Sequence, residues 1–136
     1  MAEKETIERV RHDAAKGMSA TTQAGEFVRE EMEHIREGKH GARSTKQAIA
    51  IGLSKARRAG VKVKSRPGVK ETKATGRKPN PRRSRATTNA LKREGHSAAS
   101  HRALSRHAKS SARKRGSASR HRAAQKAART RRAHRK

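Results

Sequence analysis

The chain has 136 residues and a formal net charge of +27, with 38 Lys/Arg against 11 Asp/Glu and a pI near 12.0. Leu, Ile, Val and Phe together number only thirteen, too few for an ordinary globular domain of this length, because little apolar surface is available to offset the entropy of ordering the chain. The absence of cysteine excludes a disulfide framework, a thiolate nucleophile and a Cys-based zinc site. No run approaches the roughly 18 apolar residues of a membrane span, and Glu3, Glu5 and Glu8 break the basic-then-apolar order of a signal peptide.

Charge and hydrophobicity run in opposite directions along the chain. Residues 1–37 hold six basic and nine acidic side chains, 38–60 hold six basic and none acidic, and 61–136 hold 26 basic against Glu71 and Glu94 alone. Of sixteen Met, Ile, Leu, Val and Phe residues, eleven precede Val61. The organisation expected is a small helical head (1–60), a basic Pro-containing linker (61–83) and a Lys/Arg/Ala-rich, helix-capable tail (84–136).

In the head, Thr6 to Lys16 places Ile7, Val10 and Ala14 at helical spacing, with Gly17 as a left-handed stop. A second helix follows Ser19 and runs to Glu37. It gathers Ala24, Phe27, Val28, Met32 and Ile35 on one stripe, which leaves Glu26, Glu30, Glu31, Glu33 and Glu37 for a solvated face before Gly38 ends it. The third helix opens on Ser44-Thr45-Lys46-Gln47, a capping box in which side chains satisfy the orphan amides of the first turn, and closes at Gly60. The expected core is Phe27, Val28, Ile35, Ile49 and Leu53, and the head is the surface expected to support any self-association.

The string Gly38-Lys39-His40-Gly41-Ala42-Arg43-Ser44 through Gln47-Ala48-Ile49-Ala50-Ile51-Gly52-Leu53 to Ala56-Arg57-Arg58-Ala59-Gly60 resembles the core motif of a group of small, basic bacterial proteins. Ser84 to Thr87, Leu91 to Gly95 and Ala103-Leu104-Ser105 are similar to the second half of the longer members. The resemblance implies no activity. The Ala/Lys/Arg tail also resembles linker-histone and bacterial histone-like tails, in composition only.

Residues 61–83 contain all three prolines, Pro67, Pro79 and Pro81, among closely spaced Lys and Arg, which reads as an extended, self-repelling linker. Within it Gly76-Arg77-Lys78-Pro79-Asn80-Pro81-Arg82-Arg83 is similar to an AT-hook, a short arm that enters a narrow minor groove, although Lys78 separates Arg77 from Pro79. Helix-capable stretches follow at 84–94, 97–115 and from Ser117 onward, with a twenty-residue register that aligns Ser97-Ala98 and His101-Arg102-Ala103 on Ser117-Ala118 and His121-Arg122-Ala123. Leu91 and Leu104 are their only large apolar residues. The fold class expected is therefore mostly α: three short helices, then a largely disordered basic arm with helix-capable segments.

The arm points to phosphate chemistry, since Lys and Arg that neutralise phosphates release counterions and give affinity without sequence reading. The residues expected to carry it are Arg57, Arg58, Arg77, Lys78, Arg82, Arg83, Arg85, Lys92, Arg93, Arg102, Arg106, Lys109, Arg113, Lys114, Arg115, Arg120, Arg122, Lys126, Arg129, Arg131 and Arg132. With Phe27 as the single Phe, Tyr or Trp, stacking platforms for single strands and RNA loops are missing, and double-stranded or highly structured nucleic acid is favoured. Of these, duplex DNA is the partner expected ahead of structured RNA, a choice that composition does not decide. The function expected is that of a cytoplasmic, nucleoid-associated, histone-like binder. A structured-RNA or ribosome-associated protein is the alternative, and a protein interaction module with a basic tail is a second. Arg82-Arg83-Ser84 and Arg115-Gly116-Ser117 also fit kinase targets. Membrane binding is not expected, because the tail has no Trp/Phe/Leu face to bury. Neither catalysis nor a cofactor is expected, and His96, His101 and His107, five and six apart, do not form helical metal pairs. The acidic second helix either keeps the head soluble or folds back on the basic arm.

Overall fold

Residues 2–64, Lys78 and 80–135 are described by the computed structural model, in which α1 (Lys4–Ala15), α2 (Ala20–Arg36), α3 (Thr45–Arg58), α4 (Pro81–Arg93), a 3-10 turn (Ser97–Ala99), α5 (His101–Lys114) and α6 (Gly116–Ala133) follow in order. The chain divides into two compact units, Met1–Ser100 and His101–Lys136.

In the first unit α2 is central and packs on both α1 and α3. Its start is fixed by Ser19, whose hydroxyl accepts the Thr22 amide at 3.3 Å, and its end by Gly38 at φ +77°, a conformation that costs a residue without Cβ little. Ser44 caps α3 in the same way, accepting the Gln47 amide at 3.2 Å, while the Gln47 side chain accepts the Arg43 amide at 2.7 Å. The expected reciprocal cap is thus present, reaching one residue further back than the usual box.

Phe27 and Ile35 are fully buried, as the stripe on α2 requires, at about 1.5–3 kcal/mol each relative to exposure. Val28, Ile49 and Leu53 are only partly buried; Val10, Met32 and Val61 are buried in addition, and alanines fill the helix crossings, with Ala24, Ala48 and Ala56 all inaccessible. The reason is Gly52. A Cβ at that position would lie 2.7 Å from Val28 Cα, so α2 and α3 cross backbone to backbone, and large side chains are displaced from the crossing to its rim.

The first unit continues beyond α3. Asn80 accepts the Arg82 amide at 3.0 Å and Pro81 occupies the first turn of α4, where a missing amide proton costs nothing. The chain leaves α4 through an extended Glu94, and the 3-10 turn then buries Ala98 and Ala99 against α2 and α3. Thr45 Oγ1 donates to the Ala98 carbonyl at 2.7 Å and Arg36 Nε to the Ala99 carbonyl at 2.8 Å. At Gly41 a side chain would run into the Glu94 carbonyl; its amide donates to the Leu91 carbonyl at 2.8 Å, and the Ala42 amide to the Gly95 carbonyl at 3.1 Å.

In the second unit α5 and α6 pack together after a break at Gly116, φ +75°. Leu104, His107 and Ser111 on α5, and Ser119 and Ala127 on α6, are partly buried; most of the remaining side chains are exposed.

The fold class expected from composition is therefore corrected. Among the described residues the molecule is all-helical, with six α-helices, and not a three-helix unit followed by a disordered arm. Scarce apolar residues misled that expectation, because α4, α5 and α6 rest on other grounds: Ala, Arg, Lys and Gln are strong intrinsic helix formers, and caps at Asn80 and a left-handed Gly116 set two of their boundaries. The linker expected at 61–83 already contains the first turn of α4. Its residues 65–77 and 79, including Gly76, Arg77 and Pro79 of the AT-hook-like string, lie outside the described residues.

Candidate functional site

Of the cations expected to meet nucleic acid, Arg77 lies outside the described residues, and every other one, from Arg57 and Arg58 through Lys78 to Arg132, is exposed. Their placement is most regular on α5. Arg102, Arg106, Lys109 and Arg113 recur at i, i+4, i+7 and i+11, on the side away from the partly buried Leu104, His107 and Ser111. On α6, Arg122, Lys126 and Arg129 repeat the spacing. No Asp or Glu occurs anywhere in 101–136, so nothing within this unit neutralises the row.

A second constellation lies inside the first unit. Glu30 and Glu31 were expected on a solvated face; both are buried, with 1% and 0% of their surface exposed. Consecutive helical positions point about 100° apart, and because α2 is covered on one side by α1 and on the other by α3, both directions lead inward. Glu30 turns to α1, where it accepts the Glu3 amide at 3.1 Å. Glu31 turns toward the segment after α2. Lys55 of α3 stands between them, with Nζ 3.2 Å from Glu30 Oε1 and 2.7 Å from Glu31 Oε2. His40 Nε2 lies 3.0 Å from Glu31 Oε1. Both Glu31 oxygens are held by these ion pairs alone and receive no hydrogen bond of good geometry among the described residues.

The turn at Gly38 makes this possible. The Gly38 amide bonds the Ile35 carbonyl at 3.2 Å and the Lys39 amide the His34 carbonyl at 3.0 Å, so the chain folds back over the end of α2 and sets His40 beside Glu31 and His34. The two imidazoles meet edge to face with centroids 6.2 Å apart. His34, one turn after Glu31 on α2, reaches Glu3 Oε1 at 2.8 Å, and Lys39 Nζ reaches the same oxygen at 2.9 Å.

These contacts set the charge states. Hydrogen bonds from Lys39 and His34 hold the Glu3 carboxyl at about 2, well below its ordinary 4.5. Burial pushes Glu30 up, but hydrogen bonds from Thr6, the Glu3 amide and Lys55 outweigh it, and the group stays below the ordinary carboxylate value. The Glu3 and Glu37 carboxylates raise Lys39. A cavity of 580 Å³ opens onto the cluster, with Glu31, His40 and Lys55 among its walls and Arg58, Arg83 and Lys92 toward α4.

Sequence reading missed the cluster because periodicity assigns one inward stripe to a helix, whereas α2 is enclosed on two sides. The available signal was Lys55 in register with Ala48 and Gly52 on the small-residue stripe of α3, the adjacent Glu30-Glu31, and the His34/His40 pair flanking a helix-stopping glycine.

Residues 19–67 match a family of unknown function (DUF6496). The match spans α2, α3 and the turn that carries His40, and stops before α4. No curated protein and no solved structure matches the chain.

Proposed function

We propose that this protein binds nucleic acid without reading sequence, with duplex DNA as the main target, and serves as a nucleoid-associated protein of the bacterial cytoplasm that acts by binding and not by catalysis. The observation that carries the reading is the exposed row Arg102, Arg106, Lys109 and Arg113 on a unit with no acidic residue. The row extends about 16 Å along α5, a length over which a DNA duplex presents about ten phosphate charges. Cations fixed on one helical face meet such a lattice with less loss of side-chain freedom than cations on an unstructured chain. Phe27, the single Phe, Tyr or Trp, is 1% exposed inside the first unit, so no large aromatic platform is offered to bases and backbone charge carries most of the affinity.

Equilibrium binding of the full chain to a labelled duplex of random sequence, to a structured RNA and to single-stranded DNA, each at 50 and 200 mM salt, tests the reading. Between those conditions affinity for the duplex should fall by about 10³-fold or more if six or more phosphates are neutralised, with little difference between duplex sequences. Affinity independent of salt would exclude phosphate binding. A preference of tenfold or more for structured RNA would replace duplex DNA by a ribosomal or other folded RNA as the target.

A further inference from the structure

We propose that Glu31, His34 and His40 form a binding site for a divalent transition-metal cation of the zinc class. One ligand atom from each of the three lies within 4.8 Å of the other two. Ligands of a tetrahedral zinc ion sit about 2.0–2.2 Å from the metal, hence roughly 3.3–3.5 Å from one another; Glu31 Oε1 and His40 Nε2 are already 3.0 Å apart. Side-chain adjustments of an ångström or so convert the cluster into a coordination sphere.

Donor chemistry selects the ion. Two imidazoles and one carboxylate suit zinc, copper or nickel, whereas magnesium and calcium take oxygen shells. Glu31 supplies the strongest argument, because it is wholly buried and neither oxygen receives a well-directed hydrogen bond among the described residues. Its one fixed cation, Lys55, is shared with Glu30, and a cation on the Oε1 side would complete the pairing that a buried anion requires. Lys55 occupies the side of Oε2, which leaves Oε1 facing His40.

His40 is oriented as a ligand from outside the cluster. Its Nδ1 lies 3.0 Å from the Gly41 carbonyl, and donation there fixes the proton on Nδ1, so that Nε2 presents a lone pair toward Glu31. A backbone carbonyl behind a histidine is the usual second partner of a metal-bound imidazole. Glu3 plays the matching part for His34, 2.8 Å from its Nε2. Three protein ligands leave a fourth position, and the cavity lined by Glu31 and His40 gives an ion a way in. A metal there ties α2 to the turn at 38–42, which in turn holds the end of α4 through the Gly41 and Ala42 amides.

Full-length protein, stripped with chelator, is titrated with Zn²⁺ by calorimetry and with Co²⁺ by visible absorption. One equivalent of tight binding is expected, with the intense absorption of tetrahedral Co²⁺. His40→Gln and His34→Ala should each weaken Zn²⁺ at least tenfold, a loss as large as those seen when the partners of metal ligands are removed, while His121→Ala/His134→Ala should leave it unchanged. Either cluster variant binding Zn²⁺ as wild type does would overturn the site. Should a variant lose its helical circular dichroism, the wild-type Co²⁺ spectrum decides alone: a weak octahedral band means surface histidines only and defeats the proposal, whether or not DNA binding holds.

Discussion

The two compact units handle charge in opposite ways. Residues 1–100 contain all eleven acidic side chains and take two of them, Glu30 and Glu31, out of solvent, where both pair with the single cation Lys55. Residues 101–136 contain no acidic side chain and keep their expected nucleic-acid-binding cations exposed on two helices. The first unit is specified by pairing, because a buried charge without its partner is costly. Helix propensity and a glycine break define the second, whose unneutralised field is available to an external polyanion. If the proposed nucleic-acid binding holds, stability and binding fall to different parts of one short chain, and substitutions should separate them.

The largest separation should come from Lys55→Met. It leaves Glu30 and Glu31 adjacent and buried with the shared cation gone, a loss of about 3–5 kcal/mol for breaking a buried pair from one side. That approaches the whole stability of a small unit. Thermal melting followed by circular dichroism should show α1–α3 unfolding at or near room temperature, whereas DNA affinity of the same protein should stay within a few-fold of wild type. Adding Glu31→Gln to Lys55→Met should restore part of the melting temperature. Equal loss of stability and of DNA binding would show that the two units depend on each other.

How much of this could be read from the sequence follows from the same contrast. The boundaries of α1, α2 and α3 were legible to within two residues, because Ser19, Ser44 and the glycines at 17, 38 and 60 are strong local signals. The exposure of the expected nucleic-acid-binding cations within the described residues was legible as well, since no apolar stripe draws them inward. What was not legible depended on tertiary contact. Nothing local marks Ala98-Ala99 as a segment that closes the α2–α3 groove, since alanine is at home both inside and outside. The close approaches at Gly41 and Gly52 are set by backbone from elsewhere in the chain. Burial of Glu30 and Glu31 runs against residue preference and is decided by Lys55, 24 positions or more away.

An acid titration gives the next effect in size. Glu3 and Glu30 both have carboxyls held below their ordinary value in the folded state. A carboxyl of that kind binds protons more readily once unfolded, so its contribution is complete above the ordinary value of 4.5 and is lost as pH falls; for Glu3 the loss extends down to about 2. Amide hydrogen exchange in chelator-containing buffer should show α1 losing protection across that window, ahead of α5 and α6, which have no carboxylate to protonate. Glu3→Gln should lower α1 protection at neutral pH and flatten its dependence below pH 4.5. Lys39 has the opposite sign: its folded value is raised above 10.5, so its contribution is present below that pH and disappears as pH rises through the folded value. If α5 and α6 lose protection together with α1 on acidification, the contrast between paired and unpaired charge does not govern stability.

The smallest expected effect belongs to Arg57→Glu/Arg58→Glu. Both residues sit in the last turn of α3, exposed, and neither takes part in the Lys55 cluster. Positive charge near a helix C-terminus favours the peptide dipole by about 0.3–1 kcal/mol per residue at low salt, so reversal should cost only a few degrees of melting temperature. For DNA the pair contributes two cations beside the fourteen Lys and Arg of residues 101–136. Each lost phosphate contact reduces the salt slope by about one, and a two-unit change with a modest loss of affinity is the most that two peripheral cations should produce. Charge reversal of Arg102 and Arg106 removes the same formal charge from the first half of the α5 row and should weaken binding more than the α3 pair does. Equal effects at the two places would mean that only net charge matters and that the helical row on α5 confers nothing beyond it.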